Sequence, residues 1–146
     1  MTRALRAALV AVAAAAPAAR PQQPPDTAAA VRVRIINPEQ DAVINGRNVV
    51  VVLEAKGIEI APAREHRQGT AHFDLFLDRD VTRADSAVPF WTQGIAHLSG
   101  GRSWHTYEAL SPGAHRVIVV LVDASHLPLK PLVADTVRFI LLKRNP

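Results

Sequence analysis

The sequence predicts an all-β fold, an immunoglobulin-like antiparallel β-sandwich of about seven strands. Turn signals divide the chain after residue 30 into short segments, and most of these segments alternate apolar and polar residues with the period of two that a half-buried strand requires. No convincing helical pattern occurs in that part of the chain. Seven short strands in roughly 110 residues are typical of two packed sheets.

The first two predicted strands have different patterns. Residues 31–36 alternate and end at Asn37-Pro38, which indicates a half-buried edge strand. After a turn at Asn45-Gly46, residues 49–53 form a continuous β-branched run, which suits a central strand.

The third predicted strand, residues 70–78, alternates strictly. A sheet core explains one of its faces. The other face carries an imidazole and two carboxylates where a plain outer face more often shows Thr, Lys or Ser. The first face consists of Ala71, Phe73, Leu75 and Leu77, and the second of His72, Asp74, Phe76 and Asp78.

The remaining strands follow in order. Residues 94–98 and 104–110 flank the turn-like segment 99–102, so the sequence predicts a hairpin there. Residues 115–123 are apolar on both faces and are expected to lie in the middle of a sheet. Residues 136–141 alternate and form the last strand. The predicted core is Val33, Ile35, Val51, Leu53, Phe73, Leu75, Leu77, Val119, Leu121, Val137 and Phe139.

The N-terminus has the pattern of a secretory signal peptide. Residues 1–18 combine a positively charged start, a short apolar run and small residues at Ala16 and Ala18. The run is too short for a membrane span. A Pro- and Ala-rich flexible tether follows over residues 19–30, and residues 31–143 form a single domain. The sequence therefore predicts a secreted or periplasmic protein without a membrane span after signal removal.

Charge and cysteine content exclude some functions. Removing residues 1–18 takes away Arg3 and Arg6, which leaves 15 basic and 13 acidic residues and a net charge of only +2. The basic residues are scattered, so nucleic-acid binding is not indicated. The chain has no cysteine, so the fold must be stable without a disulfide.

Four motifs occur in a fixed order between residues 61 and 141. In these motifs the chain resembles the bacterial "domain of unknown function 4399" family, whose signature strand reads Thr-Gly-His-His-His-Leu-Leu-Ile-Asp. Ala71, Phe73 and Asp74 depart from that strand and remove two of its three imidazoles. The resemblance implies export and a sandwich-like domain but no established activity. The matching residues are Thr70, His72, Leu75, Leu77 and Asp78; His97 before Gly100-Gly101; Leu110-Ser-Pro-Gly-Ala-His115; and Asp123-Ala-Ser-His126-Leu-Pro128.

One candidate site emerges from the third strand. His72 and Asp74 point the same way, and imidazole with carboxylate suits Zn or Cu(II). In an immunoglobulin-like sandwich the third and sixth strands are antiparallel neighbours, so the start of the third lies beside the end of the sixth. This topology places His126 close to His72 and leaves His115 at the far end, near Asp78. The sequence thus predicts His72, Asp74 and His126 as metal ligands.

A second interpretation of these residues needs no metal. His72 and Asp74 can form an exposed cross-strand polar pair or a hydrogen-bonded network. His115 is expected to bond a backbone carbonyl at a corner, His97 and His105 can face solvent beside the hairpin turn, and His66 is expected to be solvated in a charged loop.

Three functions therefore remain open. The first is a non-enzymatic exported binding module for a divalent metal such as copper or zinc. The second is a structural or protein-interaction sandwich of the cell envelope, with an envelope protein as partner and no metal site. The third is a small hydrolase, which requires a cleft with a nucleophile; the serines lack a nucleophile-elbow context.

Overall fold

Nine β-strands and no helix make up the part of the chain that the computed structural model describes, residues 30–83, 85–89 and 91–143. The predicted signal peptide (1–18) and nearly all of the predicted tether (19–30) lie outside those residues. Within them, no helix offers an apolar length sufficient to cross a membrane. The strands are β1 (Arg32–Asn37), β2 (Ala42–Asn45), β3 (Val49–Lys56), β4 (Glu59–Ile60), β5 (Thr70–Leu77), β6 (Ile95–His97), β7 (Trp104–Tyr107), β8 (Gly113–Val122) and β9 (Ala134–Leu142).

The strands form two sheets. The smaller sheet has the order β1-β3-β7, and the larger has the order β2-β9-β8-β5-β4, with β6 also paired to β5. Most pairs are antiparallel, whereas β2 with β9 and β4 with β5 are parallel. The predicted edge position of the first strand, the central position of residues 49–53 and the mid-sheet position of residues 115–123 are confirmed.

The two sheets enclose one main core. Apolar side chains from β1, β3 and β7 pack against those from β5, β8 and β9, as expected for a sandwich. Nine of the predicted core residues are buried in this cluster, and Ile35 and Leu77 pack against it partly buried. The predicted all-β sandwich is confirmed.

Two details of the structure differ from the sequence prediction. The described residues contain nine strands rather than about seven, because β2 and β4 are short pieces of four and two residues whose patterns are too brief to recognise. Residues 94–98 and 104–110 do not form a hairpin. β6 pairs with β5 in the larger sheet, and β7 pairs with β3 in the smaller one. The segment between them therefore crosses from one sheet to the other.

The polar face of β5 is buried. Phe76 on this face belongs to a second, smaller apolar cluster with Val88 from the long loop before β6 and with Ile118, Val120 and Val122 of β8. Because the loop residues Val81 and Val88 pack on this side of the sheet, the face that a two-layer pattern assigns to solvent is covered. His72 and Asp74 consequently lie in the protein interior.

Candidate metal centre

β5 brings His72 and Asp74 to one side of the larger sheet. Alternation along the strand places both side chains on the face away from the main core. Each pairs with a residue of β8, His72 with Val122 and Asp74 with Val120, so the start of β5 lies beside the end of β8. This is the arrangement predicted from sandwich topology.

His126 reaches the same place from a tight turn after β8. The carboxylate of Asp123 accepts hydrogen bonds from the backbone N–H groups of Ser125 and Leu127, and the Asp123 carbonyl accepts one from His126 N–H. These bonds hold His126 in the left-handed backbone region, at φ 61°. The His126 carbonyl accepts a further bond from Val88 N–H of the covering loop, at 2.9 Å. The imidazole is therefore positioned by its own turn and by the loop.

His97 is the member of the cluster that sequence reasoning missed. It lies in the three-residue strand β6 and pairs directly with Asp74 in the antiparallel register. Its Nδ1 is 2.6 Å from Asp74 Oδ1, so the imidazole donates a hydrogen bond to the carboxylate. The expectation that His97 faces solvent beside a hairpin is wrong because that hairpin does not exist. The motif that places a His before Gly100-Gly101 is the signal that could have identified it.

Three imidazoles and one carboxylate thus converge. His72 Nε2 lies 3.4 Å from His126 Nδ1 and 4.0 Å from Asp74 Oδ1, and His126 Nδ1 lies 3.9 Å from Asp74 Oδ2. One potential ligand atom from each of the four residues lies within 4.8 Å of the others. A cluster with this composition and spacing could hold a metal ion.

Burial determines the charge state of the cluster. Burial, reinforced by the neighbouring His97 and His126 imidazoles, lowers the pKa of His72 to about 3, so this ring is neutral near pH 7. Burial and the His97 imidazole also lower the pKa of His126. Burial raises the pKa of Asp74, against the opposing effect of the His97 hydrogen bond. Neutral imidazoles are the form that binds metals.

Asp74 has one oxygen that its protein neighbours do not satisfy. Oδ1 accepts the hydrogen bond from His97, whereas Oδ2 is buried and has no hydrogen-bond partner among the described residues. Burying a polar atom without a partner is costly, and for a carboxylate the cost is higher still. A cation beside Oδ2 would compensate for it.

His115 lies at the other end of the sheet pair, as predicted. Its Nδ1 faces Asp78 Oδ2 at 2.7 Å and its Nε2 faces the Ser111 carbonyl at 2.8 Å. Ser111, His115 and Asp78 also line one open cleft. They do not form a catalytic triad there, because Nε2 is directed at a backbone carbonyl and is not available to activate a hydroxyl.

More than half of the chain is similar to one described family. The family model for a Domain of unknown function (DUF4399) matches residues 51–140, which include all four residues of the cluster. No curated protein sequence matches the chain.

Several solved structures show a distant similarity to the chain. The fibronectin(III)-like modules of CbhA from Clostridium thermocellum are 15% identical, with 77% of this chain and 99% of that chain covered and a TM-score of 0.46. The PKD domain of human KIAA0319 is 12% identical, with 80% and 86% covered and a TM-score of 0.43. Likenesses at this level carry no information about function.

Proposed function

The chain belongs to the DUF4399 family, and from its site we propose that it is an exported, non-enzymatic binding module in which His72, Asp74 and His126 hold a divalent metal ion. The observation that carries this proposal is the buried Asp74 Oδ2, which has no hydrogen-bond partner in the described part of the chain and lies 3.9 Å from an imidazole nitrogen of His126. A metal ion would supply the missing partner to Oδ2 and use the lone pairs of the neutral imidazoles.

The donor set favours zinc or copper(II). Imidazole nitrogen with one carboxylate oxygen suits these ions, whereas calcium and magnesium prefer sites built from oxygen alone. The chain contains no cysteine that could add a thiolate. Export, which is inferred from the charged start and apolar run of residues 1–18, would place the site outside the cytoplasm.

Titration of Zn(II) or Cu(II) into the purified, chelator-treated protein tests the proposal. Isothermal titration calorimetry should show one bound ion, and elemental analysis after gel filtration should find the same stoichiometry. His72→Ala and His126→Ala should each abolish this binding. His115→Ala should leave it unchanged.

His66→Ala is the matched control, because His66 is an exposed imidazole in a loop. If wild-type protein takes up no metal, the cluster is only a hydrogen-bonded network, and the alternative of an envelope interaction sandwich is correct. If His66→Ala reduces binding as much as His72→Ala does, the ion is held by surface histidines.

A further inference from the structure

Two atoms of the cluster lie too close together for both of them to be ligands of the same ion. His97 Nδ1 and Asp74 Oδ1 are 2.6 Å apart. Ligand bonds of about 2.0–2.2 Å in tetrahedral geometry place two ligand atoms roughly 3.4 Å apart. The observed separation is instead that of a short hydrogen bond to a carboxylate. His97 Nδ1 and Asp74 Oδ1 are therefore hydrogen-bonded to each other and do not both bind the ion.

The other separations in the cluster suit a shared ion. His72 Nε2 and His126 Nδ1 are 3.4 Å apart, and the Asp74 carboxylate lies 3.9–4.0 Å from each of them. The 4.0 Å distance joins His72 to Oδ1, and the 3.9 Å distance joins His126 to Oδ2, which has no hydrogen-bond partner among the described residues. His97 Nδ1 is thus engaged with Asp74 Oδ1, whereas the contacts of His72 and His126 with each other and with the carboxylate are long enough for an ion to lie between them.

We propose that, among the described residues, His72 Nε2, His126 Nδ1 and Asp74 Oδ2 are the protein ligands, that His97 is a positioning residue, and that the ion keeps one coordination position for water or a small anion. This inference rests on the proposed metal-binding function. An imidazole that orients a metal-binding carboxylate is a common outer-shell arrangement. Three protein ligands with one exchangeable position distinguish open metal sites from closed structural ones.

Burial indicates where an exchangeable ligand would enter. The side chains of His72 and Asp74 are 1% and 0% exposed, whereas those of His97 and His126 are 16% and 19% exposed. Within the cluster, solvent therefore reaches the rim that His97 and His126 form. A water molecule or an anion about the size of azide would approach the ion from that rim.

Electron paramagnetic resonance of the protein loaded with Cu(II) tests the ligand count. The expected spectrum shows coupling to two imidazole nitrogens, in wild type and in His97→Gln alike, because a Gln amide can replace the hydrogen bond to Asp74. In His97→Ala the nitrogen count should stay at two while the affinity for Cu(II) falls by about 10–100-fold. Added azide should produce an azide-to-copper charge-transfer band.

Several results would overturn the inference. Coupling to three imidazole nitrogens in wild type, falling to two in both His97 variants, would make His97 a ligand. Failure of azide to alter the visible spectrum of the copper-loaded protein would mean that the site is closed. Both results leave the metal bound, so the first refutes the positioning role of His97 and the second refutes the open position, without refuting metal binding. A complete lack of bound copper and zinc would refute the proposed function and this inference together.

Discussion

His72 Nε2 and His126 Nδ1 lie 3.4 Å apart, although 54 positions separate the two residues along the chain. The antiparallel pairing of β5 with β8 and the turn held by Asp123 produce this contact. An unfolded chain has neither the strand pairing nor the turn. A metal ion that is bound by both nitrogens therefore binds only the folded state and must stabilise it.

Metal loading should therefore raise the melting temperature. At a free metal concentration 100 times the dissociation constant the stabilisation is about 2.7 kcal/mol, which corresponds to a shift on the order of 10 °C for a domain of this size. Differential scanning fluorimetry with and without Zn(II), followed by excess chelator, measures the shift and its reversal. An equal shift in His72→Ala would show that the stabilising ion binds elsewhere.

Asp74→Asn should affect the metal-free and metal-loaded protein in opposite ways. The amide oxygen can still accept the hydrogen bond from His97, while the buried charge is removed, so the metal-free variant should be at least as stable as wild type near pH 7. The melting-temperature shift on adding Zn(II) should be lost. Chemical denaturation and fluorimetry provide the two measurements. A variant less stable by more than about 2 kcal/mol without metal would mean that the charge of Asp74 stabilises the cluster by itself.

Phe73→Ala should destabilise the domain by about 3–5 kcal/mol, since Phe73 is fully buried between the two sheets and its truncation leaves a cavity. The free energy of unfolding in urea measures this loss. Val43→Ala is the control on the outer surface, where Val43 is 61% exposed, and should change stability by less than about 0.5 kcal/mol. Similar values for both variants would contradict the assigned core.

His115 should contribute a pH-dependent stabilisation. Burial lowers its pKa, but hydrogen bonds to the Ser111 carbonyl and the Asp78 carboxylate outweigh burial and raise the pKa above 6.5. The folded state then binds the proton more tightly than the unfolded state does. The contribution is fully present below pH 6.5, the ordinary pKa, and is lost as pH rises through the folded-state pKa.

The difference in unfolding free energy between wild type and His115→Gln measures this contribution. It should be larger near pH 5.5 than near pH 8.5. The size is modest because Asp78 is partly exposed and water weakens the pair. A difference that grows with pH would mean that the neutral ring is the stabilising form.

The exported protein should begin near Ala19. The charged start, the apolar run and the small residues before this position predict cleavage there. The cleavage site is determined by measuring the intact mass of protein recovered from the periplasm or medium of an exporting host. Recovery of exported protein with Met1 retained would refute the predicted signal peptide.

Sequence reasoning located His72, Asp74 and His126 together because it needed only two facts. Alternation puts His72 and Asp74 on one face, and long strands such as β5 and β8 have patterns clear enough to place in a sandwich topology. Alternation and sandwich topology do not place His97, for which the motif with a His before Gly100-Gly101 is the available signal. The pairing partner of a three-residue strand is decided by the whole fold, and nothing local in residues 95–97 shows that they lie beside Asp74 rather than in a hairpin.

The depth of the site was equally hidden. Alternation separates the two faces of β5 but does not show what covers each face. The polar face of β5 is covered by Val81 and Val88, which lie in a loop. The sequence of a loop has no hydrophobic periodicity from which its path could be predicted. The polar face of β5, which the sequence pattern assigns to the solvent-exposed surface, is therefore buried in the structure.

The turn that carries His126 has a consequence for a chain with no cysteine. An ion held jointly by His72 and His126 would act as a non-covalent cross-link, closing a segment of 54 positions that contains most of β5 and all of β6, β7 and β8. Closing a segment of that length restricts the conformations of partly opened states, as a disulfide would. Unlike a disulfide, this cross-link would be opened by a chelator.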